Sequence, residues 1–598
     1  MNIDSYQRKA ISQTVIVAVV IIIILVAAVA AYYLVSGGSN TTSSSSTSHS
    51  TSSTSHSTSS TSHSTSTTSS TTSTTSPTYK SSITIGTTDT VMTTLDPADA
   101  YDYFGINIIQ NLGDGLVDYR PGSSQYVPGL ATSWSASSDG MTWNFTLRQG
   151  VKFADGTKFN ATDVKYSVDR QFAIQEAAGP FVGAGIGGTG AQTGVINSTK
   201  VLGEYKIQFK LNYPFTAFLG MMAFAPMYPV EPSLAPMPAH PHPGTNTGVI
   251  NYTGNLATEN PNRLGPYVLS VWQRSAGKDV EIDLTANPNY WNASAGWPKT
   301  QHIIIKFYSD STSLALAMTN GEVDIAYRQL AATDVRSFQT NSAVKVWTGP
   351  GTFIQFLAFD ETFPTYHNQL VRQAIAAAVN RTLIVNTVFL GLAQPLYSTI
   401  PNGMIYHTDA FQTDYGNANT AKAQSLLTEA GYSTSHKLII NFTYPTGHYT
   451  STDLIASAVK QSLERTGMIT VNLASMPWSN YKAATVSDQL QAYLYGWYPD
   501  YLDPYDYVQP FFPANGLGYL YTHWLNSTSA NLQTQIVAAS DTTQLATYYT
   551  QLQNIVAQAA PVVPLFQGTT VAVSSPKVSG IVLDVTTNFR YWLLQETT

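Results

Sequence analysis

The chain has 598 residues, a net charge of −7 and no cysteine. A mildly acidic balance leaves no basic face for nucleic acid, and the missing thiols exclude disulfides, zinc–thiolate and iron–sulfur sites and cysteine nucleophiles. Only 11% of the residues are charged, against an ordinary proportion of about 25%. With 36 Tyr, 23 Phe and 10 Trp beside abundant Ser, Thr and Asn, the surface is expected to be solvated by hydroxyl and amide groups. Such a surface suits an acidic exterior, where carboxylates lose charge.

Residues 15–35 (VIVAVVIIIILVAAVAAYYLV) carry no charge. As a helix rising about 1.5 Å per residue, this run matches a bilayer core about 30 Å thick. Arg8 and Lys9 precede it and the next cation is Lys80. The positive-inside bias therefore predicts a cytoplasmic segment 1–14, a single-pass anchor or signal at 15–35, and everything later outside the cell. Arg8-Lys9-Ala10 resembles the archaeal prepilin-like (class III) signal, whose cleavage would leave the anchor in place. A signal-peptidase site near Val29-Ala30-Ala31 is the alternative.

Residues 36–79 are almost wholly Ser and Thr, with His49, His56 and His63 seven apart. A tract without apolar side chains cannot offset its ordering entropy, so a disordered, O-glycosylated stalk is expected rather than a metal site. Acceptor sequons stand at Asn40, Asn144, Asn160, Asn197, Asn251, Asn292, Asn380, Asn441 and Asn526, which fits an exterior glycoprotein. All but Asn40 and Asn160 are carried forward as glycosylation candidates. Asn160 stands at a helix start, where a cap is the competing role.

The globular part opens with alternation at 82–88, a strand, followed by helical apolar spacing at 106–116. In MTWNFTLRQGVKFADGTKFNATDVKYSVDR (141–170), Trp143, Phe145 and Leu147 share one strand face. Asp155-Gly156 signals a turn, and Thr162 is placed to cap a helix beginning at Asp163. Residues 368–386 place Leu370, Ala374, Ile375, Ala378 and Val379 on one helical stripe. Residues 420–430 form a second helix with Gly431 as a left-handed stop. Strands alternating with such helices imply mixed α/β lobes.

The segment LRQGVKFADGTKFNATDVKYSVDR resembles the signature of the family 5 extracellular solute-binding proteins, the peptide- and nickel-type binders of ABC transporters. The likeness continues in order through Gly265-Pro266-Tyr267, Asn287-Pro288-Asn289-Tyr290-Trp291, LALAMTNGEVDIAY (314–327), Val371-Arg372-Gln373-Ala374-Ile375 with Asn380-Arg381, LLTEAGY (426–432) and GWYPDYLDP (496–504). Together these span about residues 80–598. The resemblance implies a periplasmic-binding-protein-like fold of two hinged lobes with an extra subdomain. By it, 80–118, 262–345 and 568–598 form lobe I, 119–261 the extra subdomain and 346–567 lobe II.

The same resemblance implies the site. In peptide-binding relatives an Asp of the loop matching Gly496-Trp497-Tyr498-Pro499-Asp500-Tyr501 pairs with the ligand's α-amino group. Asp500 is therefore the expected ammonium partner, although Pro499 replaces the usual Ala. Trp497, Tyr498, Tyr101, Asp102 and Tyr103 are the other candidate cleft residues. Asp360 stands where relatives carry an Asn after a strand. Aromatic side chains stack equally well on sugars, so peptide and oligosaccharide ligands both stay open.

An enzyme is not expected. Glu322 and Asp324 could suggest a glycosidase pair, but they alternate beside a helix, where a solvated strand edge is simpler. His240-Pro241-His242 lies in a Pro-rich loop, no nickel ligand set can be read, and neither a cofactor nor a metal is expected. A surface-layer or adhesion protein would share the anchor and stalk, yet no internal repeat is visible in 80–598. The expected role is therefore capture of a dipeptide or oligopeptide between the lobes and delivery to an ABC permease. The N-terminal tether would keep the binder near its transporter.

Overall fold

Three sheets organise the chain in a computed structural model that describes residues 78–598 other than 93, 175–193, 239–258 and 517. The expected anchor and the stalk as far as residue 77, the sequons at Asn40 and Asn251, and His240 and His242 lie outside the described residues. Among the described residues no helix is long and apolar enough to cross a membrane.

The first sheet has seven strands in the order Lys345–Gly349, Thr570–Ser574, Ile325–Tyr327, Ser82–Thr87, His302–Phe307, Lys278–Ala286 and Tyr267–Ser275. Ser82–Thr87 runs parallel to both of its neighbours, and the outer pairs are antiparallel. The second has six strands in the order Ala393–Pro395, Val562–Gly568, Ile354–Phe359, Ala492–Trp497, Leu438–Thr446 and Ile469–Pro477. A four-stranded antiparallel sheet links Ala131–Ala136, Thr142–Leu147, Lys206–Leu211 and Ile196–Gly203. Each sheet has its own core of buried aliphatic and aromatic side chains, so the architecture is mixed α/β as the alternation of elements predicts.

The chain passes between the two large sheets twice, side by side. One crossing joins Lys345–Gly349 to Ile354–Phe359, and the other joins Val562–Gly568 to Thr570–Ser574 through Thr569 alone. The strand at the expected 345/346 boundary pairs wholly within the seven-stranded sheet. At the crossings, a Cβ on Gly351 would lie 2.1 Å from the Gly568 carbonyl oxygen, so only glycine allows this approach. The Gln567 side chain donates to the Gly351 carbonyl at 2.7 Å.

Several local readings are corrected by the side chains. The helix Ala161–Ile174 is capped by Asn160, whose Oδ1 accepts from Thr162 N at 2.7 Å, while Asp163 accepts from Asn160 N at 2.8 Å. Thr162 is already inside the helix. The expected continuous helix 368–386 stops at Ala378, because Asn380 restarts the chain as a new cap for Leu383 N. A π-helical turn, Ile384–Val388, follows. The first described helix begins at Tyr103 and ends at Leu112, ahead of the expected 106–116. Glu322 and Asp324 occupy the turn before Ile325–Tyr327 rather than a strand edge. Asp324 accepts from Thr84 N at 2.7 Å and pairs with Lys80 at 2.8 Å. By contrast Thr420–Glu429 folds as expected, with Asn419 as its cap and Gly431 at φ +91° beyond it.

Candidate functional site

A cavity of about 370 Å³ lies between the seven- and six-stranded sheets. One wall comes from residues 101–110 and the loop 586–588, and the opposite wall from 448–449, 478–482, 496–502 and Tyr519. The helix Tyr103–Leu112 presents the first wall because Asp102, extended at φ −134°, accepts from Gly105 N at 2.7 Å and fixes where the helix starts. Asp102 borders the cavity, but this bond makes it a helix cap, a role for which an Asp ahead of an apolar helical run is the sequence signal.

The opposite wall is the end of the strand Ala492–Trp497 and the loop after it. Asp506, fully buried, holds that loop by accepting from Trp497 Nε1 at 3.0 Å and from Asp500 N at 2.9 Å. Burial, and next the neighbouring Asp500 carboxylate, push the Asp506 carboxyl well above its ordinary range, and the two bonds it accepts brace the loop. Asp506 was not singled out by sequence reasoning. Its nearness to Trp497 and Asp500 in the chain is the only signal that could have found it.

Asp500 faces the cavity and accepts from the Tyr101 hydroxyl at 2.7 Å. Crowding by protein pushes its carboxyl up to about 7, with the Tyr101 hydrogen bond pulling the other way. The cation on the cavity wall, Lys482, lies by the Tyr519 ring, 5.8 Å from its centroid. The cavity therefore contains a carboxylate whose side-chain hydrogen-bond partner is a neutral phenol. A bound ammonium would supply a counter-charge, and exclusion of water strengthens such a contact.

The aromatic candidates are brought together but are not equivalent. Trp497 is buried and packs edge-on against Phe511 and Tyr519, with centroids 5.2 and 5.1 Å away. Tyr498 is sandwiched between Phe353 at 4.3 Å and Tyr103 at 4.6 Å. The Tyr103 hydroxyl donates to Thr587 O at 2.5 Å and meets the Tyr327 hydroxyl at 2.9 Å. These rings are walls whose faces are already occupied by protein.

Residues not anticipated from sequence lie behind the Tyr103 and Tyr498 rings, around an adjoining pocket, and beside it. Arg328 lies 3.9 Å above the Tyr103 ring and 4.7 Å from that of Tyr498, and its Nε is 2.6 Å from Asp89 Oδ2. Burial works against its charge, but Asp89 and the tyrosines outweigh it and hold the guanidinium firmly protonated. Gln329 donates to His448 O at 3.0 Å and accepts from Thr450 at 3.1 Å, joining the two walls. His448 stacks on Trp478 at 3.8 Å, and burial lowers its pKa to about 3, leaving it neutral.

Comparison with known proteins gives this geometry a family. The model of the bacterial extracellular solute-binding proteins, family 5 (middle region), matches residues 125–519. The chain belongs to family 5 of the extracellular solute-binding proteins. Among family 5 relatives, it is 27% identical over 499 residues to the probable D,D-dipeptide-binding periplasmic protein DdpA of Escherichia coli (strain K12), covering 82% of this chain and 89% of that one. It is 24% identical over 509 residues to a dipeptide-binding protein of Pseudomonas aeruginosa, covering 81% and 89%. The fold is similar to that of a dipeptide-binding protein from Pseudoalteromonas sp. SM9913 in complex with Met-Leu. There the TM-score is 0.72 at 20% identity, with 86% of this chain and 100% of that chain covered. The proteins of this family are solute-binding proteins.

Proposed function

We propose that this solute-binding protein captures a short peptide between its two large sheets and passes it to the permease of an ABC importer. The observation that carries the reading is Asp500, a carboxylate held by a neutral phenol in an aromatic cavity. The peptide's α-ammonium would take the place opposite it. A volume of about 370 Å³ is at the small end of the usual range of roughly 300–1,000 Å³ for ligand sites, which favours two or three residues over a long chain. The dipeptide ligands named for two relatives and one structural neighbour support the same length. The oligosaccharide alternative is weaker, because the faces of Tyr498 and one face of Trp478 are covered by protein rings.

In this proposal the seven-stranded sheet and its helices form lobe I, the four-stranded sheet the extra subdomain, and the six-stranded sheet lobe II. The twin crossings at 350–353 and 569 would be the hinge. Tyr101, Asp500, Gln329 and His448 make the contacts that a bound ligand would reinforce, shifting the population toward the closed form. The uncharged run 15–35, with Arg8 and Lys9 before it, supports a retained anchor on the outer face of the membrane. The Ser/Thr tract would then be its spacer and the surface sequons would carry glycans.

Calorimetry of the full chain with dipeptides, their N-acetylated forms and short oligosaccharides tests the ligand class. Binding of free but not acetylated dipeptides is the expected result. Binding of sugars alone would overturn it.

A further inference from the structure

Away from the cavity, three loops meet at the opposite end of the six-stranded sheet. The antiparallel strands Ile354–Phe359 and Ala492–Trp497 have Phe353 and Trp497 at the cavity end. Asp360 and Asp488 stand near their other end, roughly 20 Å away at about 3.3 Å per residue. His523 arrives from the segment beyond Tyr519. The loops are tied by backbone bonds, Asp360 N to Gln491 O and Glu361 N to Thr522 O, each 3.0 Å.

One donor atom from each of Asp360, Asp488 and His523 lies within 4.8 Å of the others. His523 Nε2 is 2.8 Å from Asp488 Oδ1. Asp360 is only 1% exposed. Its Oδ1 accepts from Thr362 N at 2.9 Å and from the Thr362 hydroxyl at 2.7 Å. Its Oδ2 is buried and has no hydrogen-bond partner. A buried carboxylate oxygen without a partner is unfavourable by itself. Other nearby donors are engaged elsewhere: Arg372 pairs with Glu361 at 3.2 Å, and the Tyr493 hydroxyl donates to Leu520 O.

We propose that Asp360, Asp488 and His523 form a binding site for a divalent cation, Zn²⁺ in the first instance, that pins the three loops together. Two carboxylates and one imidazole suit a first-row divalent ion, whereas Ca²⁺ takes oxygen ligands and more of them. Bond lengths near 2.0–2.2 Å put tetrahedral donor atoms about 3.3–3.6 Å apart. The three donor atoms, all within 4.8 Å of one another, stand close to that spacing. Asp488 and His523 are partly exposed, which gives the ion a path in and leaves its remaining position to water. The site is separate from the ligand cavity and would stabilise the sheet rather than contact the peptide.

The test uses the full chain, stripped with a chelator and then titrated with ZnCl₂, MnCl₂ or CaCl₂ by calorimetry and thermal melting. His49, His56 and His63 of the Ser/Thr tract offer zinc other ligands, so all proteins compared carry His49→Ala, His56→Ala and His63→Ala. The expected result is one Zn²⁺ per chain, with a melting temperature that rises on loading. Asp488→Asn and His523→Ala should each weaken binding at least tenfold and abolish the rise. These two positions are solvent-accessible, so the test does not depend on a buried Asp360 variant folding. No heat and no thermal shift with any of the three ions would overturn the proposal. So would equal zinc affinity in His523→Ala and its parent.

Discussion

Tyr101 and Asp500, 399 residues apart in the chain, are joined by a 2.7 Å hydrogen bond across the ligand cavity. The donor is a neutral phenol, so the bond orients the Asp500 carboxylate without satisfying its charge. This separates two roles that an arginine would have merged, and the two can be tested apart.

Asp500→Asn keeps the size of the side chain and removes its charge. Removing one partner of an enclosed charge pair weakens binding by about 2–5 kcal/mol, so peptide affinity should fall by a factor on the order of a hundred. Tyr101→Phe removes only a neutral hydrogen bond, worth about 1 kcal/mol, and should weaken binding by roughly fivefold. Calorimetry on both variants checks the order. Equal losses would show that the phenol, not the charge, dominates.

Binding should depend on pH with a maximum near neutrality. Below about 7 the Asp500 carboxyl of the free protein is protonated and cannot attract an ammonium. Affinity should therefore drop by up to about tenfold per pH unit as the solution is acidified. Above about 8 the peptide amine loses its proton and affinity falls again. Affinities measured from pH 5 to pH 9 should trace this bell, and the Asp500→Asn variant should lose its acid limb.

Stability of the free protein should run the other way on the acid side. Burial raises the carboxyls of Asp102 and Glu361 to about 7, Asp114 to about 8 and Asp503 to about 6, from ordinary values of 3.8 for Asp and 4.5 for Glu. Between those limits the folded state binds more protons than the unfolded state, so stability falls as pH rises. The melting temperature of the free protein should be higher at pH 5 than at pH 8, by on the order of 5 °C. A flat profile over that interval would contradict the assignment of these groups.

Asp96 and Arg170 form a wholly buried bidentate pair, 2.7 and 2.5 Å long, that ties the loop before the helix Tyr103–Leu112 to the helix Ala161–Ile174. Asp96→Asn would strand a buried guanidinium charge, a loss of about 3–5 kcal/mol. Urea unfolding should report it as an earlier transition. Replacing both residues with apolar ones of similar volume should recover much of that loss.

Much of the site's outline is legible in the sequence, but not its wiring. The loop 496–504 announces itself through contiguous residues, and Asp500 within it does face the cavity. Asp102 does border the cavity, and its position just ahead of an apolar helix also marks it as a cap. The helix expected over 368–386 shows why apolar period alone misleads. The spacing continues through Ile384 and Val385, yet buried Arg381 must reach Leu396 O and Pro564 O at 2.9 and 2.8 Å, and the chain breaks to aim it. Arg328, Gln329 and His448 were missed because their meaning comes only from partners more than a hundred residues away. The metal ligands are separated in the same way, and nothing near Asp360 in the chain points to Asp488 or His523.

The close approach of Gly351 to Gly568 also has a mechanical side. Two antiparallel segments that leave no room for a methyl group behave as a thin laminate, compliant in bending but stiff against sliding. Any opening of the cavity would then be confined to a single swing, with the far ends of the sheets following rigidly. Gly351→Ala would wedge the laminate, its Cβ 2.1 Å from the Gly568 carbonyl oxygen, whereas Gly568→Ala meets nothing nearer than 3.3 Å. A binder built this way converts the arrival of a small molecule into an angle, a signal that a partner on the membrane can read without touching the ligand.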